Sequence, residues 1–215
     1  MRMLKFHRPL KLVLSLITIA LFLGLGITYV RSRPSRRPKI EGATMKLRLY
    51  VQNADGSVIE KGAMKVELSA NGNWKKTQYD ESGKLMRIII KDVAKGGVFV
   101  LFPNQKDRAF KMSEAFAETE AAEPDEYRKR PGFKGETQTL GRTAFIEQMK
   151  DADGGLTIEI TSIPAYDYPI KRTKRLDNGS TFIEEAVSID GREPDAQLLR
   201  LPESAVISDF RKGGQ

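Results

Sequence analysis

The side chains that carry most catalytic and metal chemistry are almost absent from this sequence. Its 215 residues include a single histidine, His7, and no cysteine. The usual nucleophile–base pairs and zinc sites therefore cannot form beyond the first few residues, and only a serine–lysine pair or two carboxylates could catalyse a reaction. No Ser-x-x-Lys, Gly-x-Ser-x-Gly or phosphate-loop motif occurs. The sequence predicts neither an enzyme nor a bound cofactor or metal.

Two acidic segments are the remaining candidates for metal binding or acid–base catalysis. Asp151-Ala-Asp153-Gly-Gly155 has the composition of a calcium loop, but it lacks a third ligand and the closing glutamate, so a hairpin turn is favoured. Glu184 and Glu185 are adjacent in a segment that alternates like a strand. Neighbouring strand residues point to opposite faces, so these two carboxylates cannot act together in one site.

The basic charge of the chain belongs to its N-terminal part. The net charge is +8, yet residues 1–40 alone contain nine basic and no acidic residues, leaving 27 basic and 28 acidic residues after them. A phosphate-binding surface needs clustered positive charge. Because the rest of the chain is close to neutral and has only short basic clusters, we expect no nucleic-acid partner.

Residues 12–30 form an uncharged run of 19 residues, rich in Leu, Ile and Val. As a helix this run measures about 28 Å, close to the ~30 Å hydrocarbon core of a bilayer. It is longer than the apolar core of a usual signal peptide, so an uncleaved transmembrane anchor is the preferred interpretation. The alternative is cleavage at Gly24-Leu25-Gly26, which would release a soluble protein.

Basic residues flank the run on both sides, so the positive-inside rule alone does not orient it. A β-rich domain without cysteine suits a bacterial periplasm, and this decides the orientation. We predict a cytoplasmic tail at 1–11, an anchor at 12–30, a basic linker at 31–43 and an extracytoplasmic domain at 44–215. The protein would then be a single-pass protein of the bacterial inner membrane with its C-terminal domain in the periplasm.

Beyond the linker the dominant signal is an alternation of apolar and polar residues, interrupted by turn dipeptides such as Asn71-Gly72. This period of two predicts strands joined by hairpins in an antiparallel sheet. Residues 113–126 are acidic and alanine-rich and predict a short helix, whereas residues 127–139 predict a mobile connection. The predicted strands are 45–51, 64–69, 74–79, 85–93, 98–102, a piece ending near 112, 144–149, 156–162, 170–176 and 181–190.

The apolar residues of these strands could line a concavity for an acyl chain. The alternative is that they pack an ordinary core, which periodicity alone favours. The candidate ligand-binding residues are Leu47, Leu49, Val66, Leu68, Met86, Ile88, Ile90, Ile158 and Ile160.

Motifs in both halves of the chain follow a recognisable order. The first half contains Met64-Lys-Val-Glu-Leu-Ser, Gly72-Asn-Trp-Lys-Lys, Ile88–Ile90 and Val98-Phe-Val-Leu-Phe-Pro-Asn-Gln-Lys-Asp-Arg108. The second half contains Leu156–Thr161, Tyr168-Pro-Ile-Lys-Arg, Asp177-Asn-Gly-Ser and Leu201-Pro202. Over residues 44–207 this order resembles the outer-membrane lipoprotein-carrier (LolA-like) superfamily.

The resemblance implies a mainly β fold: an open, curved antiparallel half-barrel with one or two short helices over its hollow. It also implies binding of lipid or lipoprotein acyl chains without chemistry. The predicted anchor departs from the carriers, and no residue here matches their lid-bonding arginine. A tethered domain would hold its ligand at the membrane and would not carry it across the periplasm.

Two functions are open at this point. The first is a membrane-tethered module that binds lipid, a lipoprotein acyl chain or another apolar ligand, with residues 113–135 as a movable cover. The second is an envelope-stress sensor or interaction module that binds another envelope protein with the same half-barrel.

Overall fold

The computed structural model describes residues 39–105, 107–112, 122–150, 157–166 and 168–209. The predicted tail, the anchor with its alternative cleavage site, and most of the linker lie outside these ranges. So do the turn at 151–155 and most of the helix predicted at 113–126. No helix in the described ranges combines the length and the apolar character that crossing a bilayer requires.

The described residues form one twelve-stranded sheet. Its strands follow one another in the order β12-β6-β5-β4-β3-β2-β1-β11-β10-β9-β8-β7. All neighbours are antiparallel except β12 and β6, which run parallel. The strands are β1 (Ala43–Gln52), β2 (Val58–Leu68), β3 (Trp74–Tyr79), β4 (Leu85–Asp92), β5 (Gly97–Leu101), β6 (Arg108–Lys111), β7 (Phe133–Thr139), β8 (Arg142–Lys150), β9 (Thr157–Ser162), β10 (Pro169–Arg175), β11 (Thr181–Asp190) and β12 (Val206–Asp209).

The predicted fold class is confirmed in its main features. The protein is mainly β, and its curved sheet stays open because β12 and β7 remain at opposite edges. The described helical elements are a short helix, α1 (Pro124–Arg128), and a 3-10 turn, η1 (Ala196–Leu199). The central strand β1 pairs with β2 on one side and with β11 on the other, so it joins the two halves of the chain.

Bulges bend the sheet at its centre. The register of β1 against β2 shifts between Leu49 and Tyr50, opposite Gly62. Gly62 has φ +132°, and a Cβ there would lie 2.1 Å from the Tyr79 carbonyl oxygen. A side chain is therefore excluded at this point, where the backbones of β2 and β3 approach closely. The register shift leaves one extra residue in β2, and a bulge of this kind locally increases strand bending and twist.

The pairing registers separate two faces of the sheet. Directly opposed residues share a face, and one row across β1–β5 consists of Met45, Val66, Lys76, Ile89 and Val100. All five of these residues are buried. We call the face that carries this row the inner face, and the opposite one the outer face.

The next row, on the outer face, begins polar and ends apolar. It runs from Lys46 through Lys65 and Thr77 to Ile88 and Leu101. The apolar end is covered by the residues between β11 and β12, 191–205, which we call the C-terminal segment. Its Leu201 packs with Ile90, Phe99, Leu101 and Ala109, and Ile88 is partly buried against this outer cluster. The predicted core is therefore divided between two faces.

Two acidic side chains fix the C-terminal segment against the sheet through three hydrogen bonds. The buried Asp92 accepts a hydrogen bond from the Leu201 backbone N–H at 3.1 Å. Glu193 accepts hydrogen bonds from the Ser69 hydroxyl at 2.6 Å and from the Ala70 N–H at 3.0 Å. These contacts lead the chain across to β12, which adds to the edge beside β6.

The prediction of a mobile connection at 127–139 was wrong. This stretch contains the end of α1 and the whole of β7, which pairs with β8. The sequence of β7, Phe-Lys-Gly-Glu-Thr-Gln-Thr, has only one apolar side chain. Its position is set by the partner strand, since β8 contributes the buried Ala144 and Phe145. Strand β12 was missed as well, because its pairing with β6 is parallel and distant in sequence.

The β7–β8 hairpin turns through Leu140 and Gly141, with φ +50° and +73°. Positive φ at both positions is the signature of a type I′ turn, for which Asn-Gly is preferred. A left-handed conformation costs a leucine roughly 1–2 kcal/mol, and the side chain is 43% exposed, so little burial offsets this cost.

We therefore expect Leu140→Asn to raise the free energy of unfolding by about 1 kcal/mol. Urea unfolding of the full chain in detergent micelles, followed by tryptophan emission, measures it. Leu198→Asn, at another exposed leucine outside the left-handed region, should bring no gain. Equal effects of the two substitutions would contradict the strain at Leu140.

Candidate ligand-binding cleft

A cleft of about 210 Å³ opens on the inner face. Its walls come from β1–β5 on one side of the centre and from β10 and β11 on the other. The central pairing of β1 with β11 sets Leu49 opposite Glu184, and the pairing of β10 with β11 sets Arg172 opposite Glu184. The lining residues are Leu49, Met64, Trp74, Lys76, Gln78, Arg87, Ile89, Val98, Met112, Arg172, Phe182 and Glu184.

One part of this lining is apolar. Leu49, Met64 and Ile89 are buried members of the main hydrophobic cluster, and Val98 and Phe182 pack against it while partly buried. Leu49, Met64 and Ile89 expose only 3%, 4% and 8% of their surface and Val98 and Phe182 expose more, and together they form one apolar wall of the cleft. Such a surface can hold an alkyl chain through contact and exclusion of water.

A lysine lies in the floor of the cleft. Lys76 is only 8% exposed, and its ammonium nitrogen lies 4.7 Å from the ring centre of Tyr168 and 5.7 Å from that of Trp74. The two rings meet edge to face with centroids 6.4 Å apart. Contact with the faces of aromatic rings partly compensates an ammonium group for lost hydration.

A carboxylate on the opposite wall is held by two groups. The buried Glu184 accepts a 2.5 Å hydrogen bond from the Tyr168 hydroxyl. Arg172, its neighbour across the β10–β11 pair, reaches it at 3.9 Å. Tyr168 thus connects the two sides of the cleft, because its ring contacts Lys76 and its hydroxyl contacts Glu184.

An arginine stands at the rim. Arg87 is exposed and lies two residues before Ile89 on β4, on the same face. Its Nε donates a 2.8 Å hydrogen bond to the Gln78 side-chain oxygen, directly across the β3–β4 pair. This bond restrains the guanidinium at the open end of the apolar wall.

The part of the inner face at β8 and β9 is covered by α1. Tyr127 of α1 is fully buried and stacks on Phe145 with centroids 5.3 Å apart. Burial raises the pKa of the Tyr127 phenol, against the opposing charge of Arg130. Arg130 itself donates to the buried Glu147 at 2.9 Å. This end is closed by packed and paired groups.

The structure divides the predicted ligand-binding residues into four sets. Leu49 lines the cleft. Leu47, Val66 and Leu68 share its face, as does Ile160, but all four are packed in the core with almost no exposed surface. Ile158 lies on the same face and is partly buried.

The remaining three predicted residues lie on the other side of the sheet. Met86, Ile88 and Ile90 belong to the outer face, where Ile88 and Ile90 pack beneath the C-terminal segment and Met86 is 50% exposed. In the run Ile88-Ile-Ile90, the inner position belongs to Ile89. Three equal side chains in a row carry no period of two, so the sequence could not tell which one points inward.

The polar lining of the cleft was also missed. The sequence did carry one signal for Lys76: it follows Trp74 at a spacing of two, so both belong on the face of Leu68. A charged residue at an inward position of a strand is a sign of function. The pairing of Arg172 with Glu184 depends on the β10–β11 register and has no such local signal.

Comparison with known proteins gives similarity in solved structures alone. No family model and no curated protein matches the chain. The LolA superfamily protein NE2245 from Nitrosomonas europaea is similar over 78% of this chain and 93% of its own, with 8% identity and a TM-score of 0.41. PNGF-II is similar over 79% of this chain and 31% of its own, with 15% identity and a TM-score of 0.45.

The first of these structures carries the name of the superfamily that the sequence motifs resemble. With TM-scores below 0.5, neither match bears on a ligand or a partner. What the cleft can do follows from its own geometry: it offers an apolar wall, a cationic rim and a buried polar network.

The Tyr168–Glu184 bond should be important for the stability of the cleft. In Tyr168→Phe the buried carboxylate loses a donor, and an unsatisfied buried group costs about 1–3 kcal/mol. We expect the free energy of unfolding of the full chain to fall by this amount in a urea titration. Tyr79→Phe, at a half-buried tyrosine of β3, is the matched control and should change it by less than about 0.5 kcal/mol. Similar values for both would contradict the role of this bond.

Proposed function

We propose that this chain is a membrane-tethered periplasmic module that binds the apolar chain of a lipid or lipoprotein in the inner-face cleft, without catalysing a reaction. One observation carries the proposal: Leu49, Ile89 and Phe182 form an apolar wall beside an open cleft on the inner face.

The size of the cleft limits its occupant. Pockets for whole small molecules usually measure about 300–1,000 Å³, and this cleft measures about 210 Å³. The cleft therefore takes one end of a long molecule, with the rest of the chain leaving over the rim. A single alkyl chain has the required cross-section and flexibility.

The polar network supports binding over chemistry. Glu184 is engaged by Tyr168 and Arg172, and the lysine in the floor lies against two aromatic rings. These charges are compensated within the wall of the cleft. They keep the two halves of the sheet apart and fix the shape of the opening.

In this proposal the tether holds the activity at the membrane. Residues 31–43 span at most about 45 Å when fully extended. Their basic side chains suit the surface of anionic lipid headgroups. A ligand would be exchanged with the bilayer, or with another envelope protein, within this distance.

Filling the cleft tests the proposal. Val98 is partly buried at its edge, so in Val98→Phe the larger ring should occupy the space and weaken binding at least tenfold. Displacement of a fluorescent fatty acid from the full chain in detergent micelles measures the affinity, and native mass spectrometry detects lipid that purifies with the protein.

Val187→Phe, at a 56% exposed position of β11, is the matched control and should bind as the unaltered protein does. Absence of both bound lipid and displacement in the unaltered protein would contradict the proposal. Purification of a stoichiometric envelope protein in place of lipid would favour the interaction module.

A further inference from the structure

The described lining of the cleft has an excess of positive charge. Lys76, Arg87 and Arg172 contribute three cationic groups, and Glu184 contributes the single carboxylate among the lining residues that the structure describes. Lys76, Arg172 and Glu184 belong to the polar network of the wall, but a hydrocarbon chain gains nothing from the exposed cation of Arg87, since charge beside apolar surface is unfavourable. The charge therefore points to the other end of the ligand.

The three cations differ in what they contact. Arg172 pairs with Glu184, and Lys76 lies deep between the rings of Trp74 and Tyr168. Arg87 is exposed at the rim, and its one hydrogen bond within the described part of the chain is that of Nε to Gln78. Both terminal nitrogens of its guanidinium remain for a ligand.

Arginine suits an anionic oxygen group better than other side chains do. Its planar guanidinium can donate two parallel hydrogen bonds to a carboxylate or a phosphate. The bond to Gln78 restrains this group in advance, which reduces the entropy lost on binding. Ile89, two residues along β4 on the same face, begins the apolar wall directly beside it.

We propose that the cleft selects an anionic amphiphile: a single alkyl chain lies along Leu49, Ile89 and Val98, and its carboxylate or phosphate binds the Arg87 guanidinium. This inference rests on the proposed function and names its ligand class. A neutral alcohol or a cationic amphiphile of the same chain length binds more weakly.

The protein contains its own reporter for this test. Trp74 is its single tryptophan and lines the cleft. Bromine quenches tryptophan emission at short range, so a chain-terminal bromine reports occupancy next to Trp74. The full chain is reconstituted in phosphatidylcholine vesicles and titrated with 11-bromoundecanoate, 11-bromoundecyl phosphate and 11-bromoundecanol.

At least one of the two anions should quench Trp74 at a concentration about tenfold lower than the alcohol does, as expected for a charge-assisted hydrogen bond. Quenching by the carboxylate alone identifies a fatty-acid type of ligand, by the phosphate alone a phospholipid type, and each supports the proposal. The difference between anion and alcohol should decrease at high salt, because Arg87 is exposed and its charge is screened.

Substitution of Arg87 distinguishes the preference for an anion from the binding of the apolar chain. In Arg87→Gln the affinity for the anions should fall about tenfold, while the affinity for the alcohol stays the same. Arg200→Gln, at an exposed arginine beside the outer cluster, should leave the affinities for all three compounds unchanged. Equal quenching by anion and alcohol, or no effect of Arg87→Gln, overturns the anionic preference while apolar binding stands. If none of the three compounds quenches, the proposed function itself fails.

Discussion

The arrangement of this protein depends on the pairing of β1 with both β2 and β11. That strand joins the N-terminal hairpins to the C-terminal ones, and its register decides which residues meet on the inner face. It sets Leu49 between Gly62 and Glu184. The absence of a side chain at Gly62 permits the close approach of β2 to β3 beside Leu49. Glu184, opposite Leu49, brings a buried carboxylate to the wall of the cleft.

A buried polar network on a curved sheet has two consequences. It stabilises the walls, because Tyr168 links the Lys76 side to the Glu184 side. It also prevents collapse, since charged groups cannot be packed against hydrocarbon without loss of their partners. The outer face shows the contrast: where it is apolar, at Ile90 and Phe99, the C-terminal segment covers it completely.

The sequence predicted most of the strands, but it did not predict most of the residues that line the cleft. Alternation and Asn-Gly turns predicted most strands, because a half-buried antiparallel strand imposes a period of two on its own residues. The prediction from alternation failed at β7, whose register is set by β8. It also failed at Ile88–Ile90, because three identical side chains do not show which one points inward. Arg87 and Glu184 gained meaning only from cross-strand pairing, which sets Arg87 opposite Gln78 and Glu184 opposite Leu49, far away in the sequence.

Photo-crosslinking tests the central claim, that the ligand lies on the inner face. A fatty acid with a chain-terminal diazirine is bound to the full chain in phosphatidylcholine vesicles and irradiated, and the modified residues are located by mass spectrometry. The account predicts labels on Met64, Ile89 or Val98, which border the cleft. Labels confined to Met86 or to the outer cluster around Leu201 would contradict it.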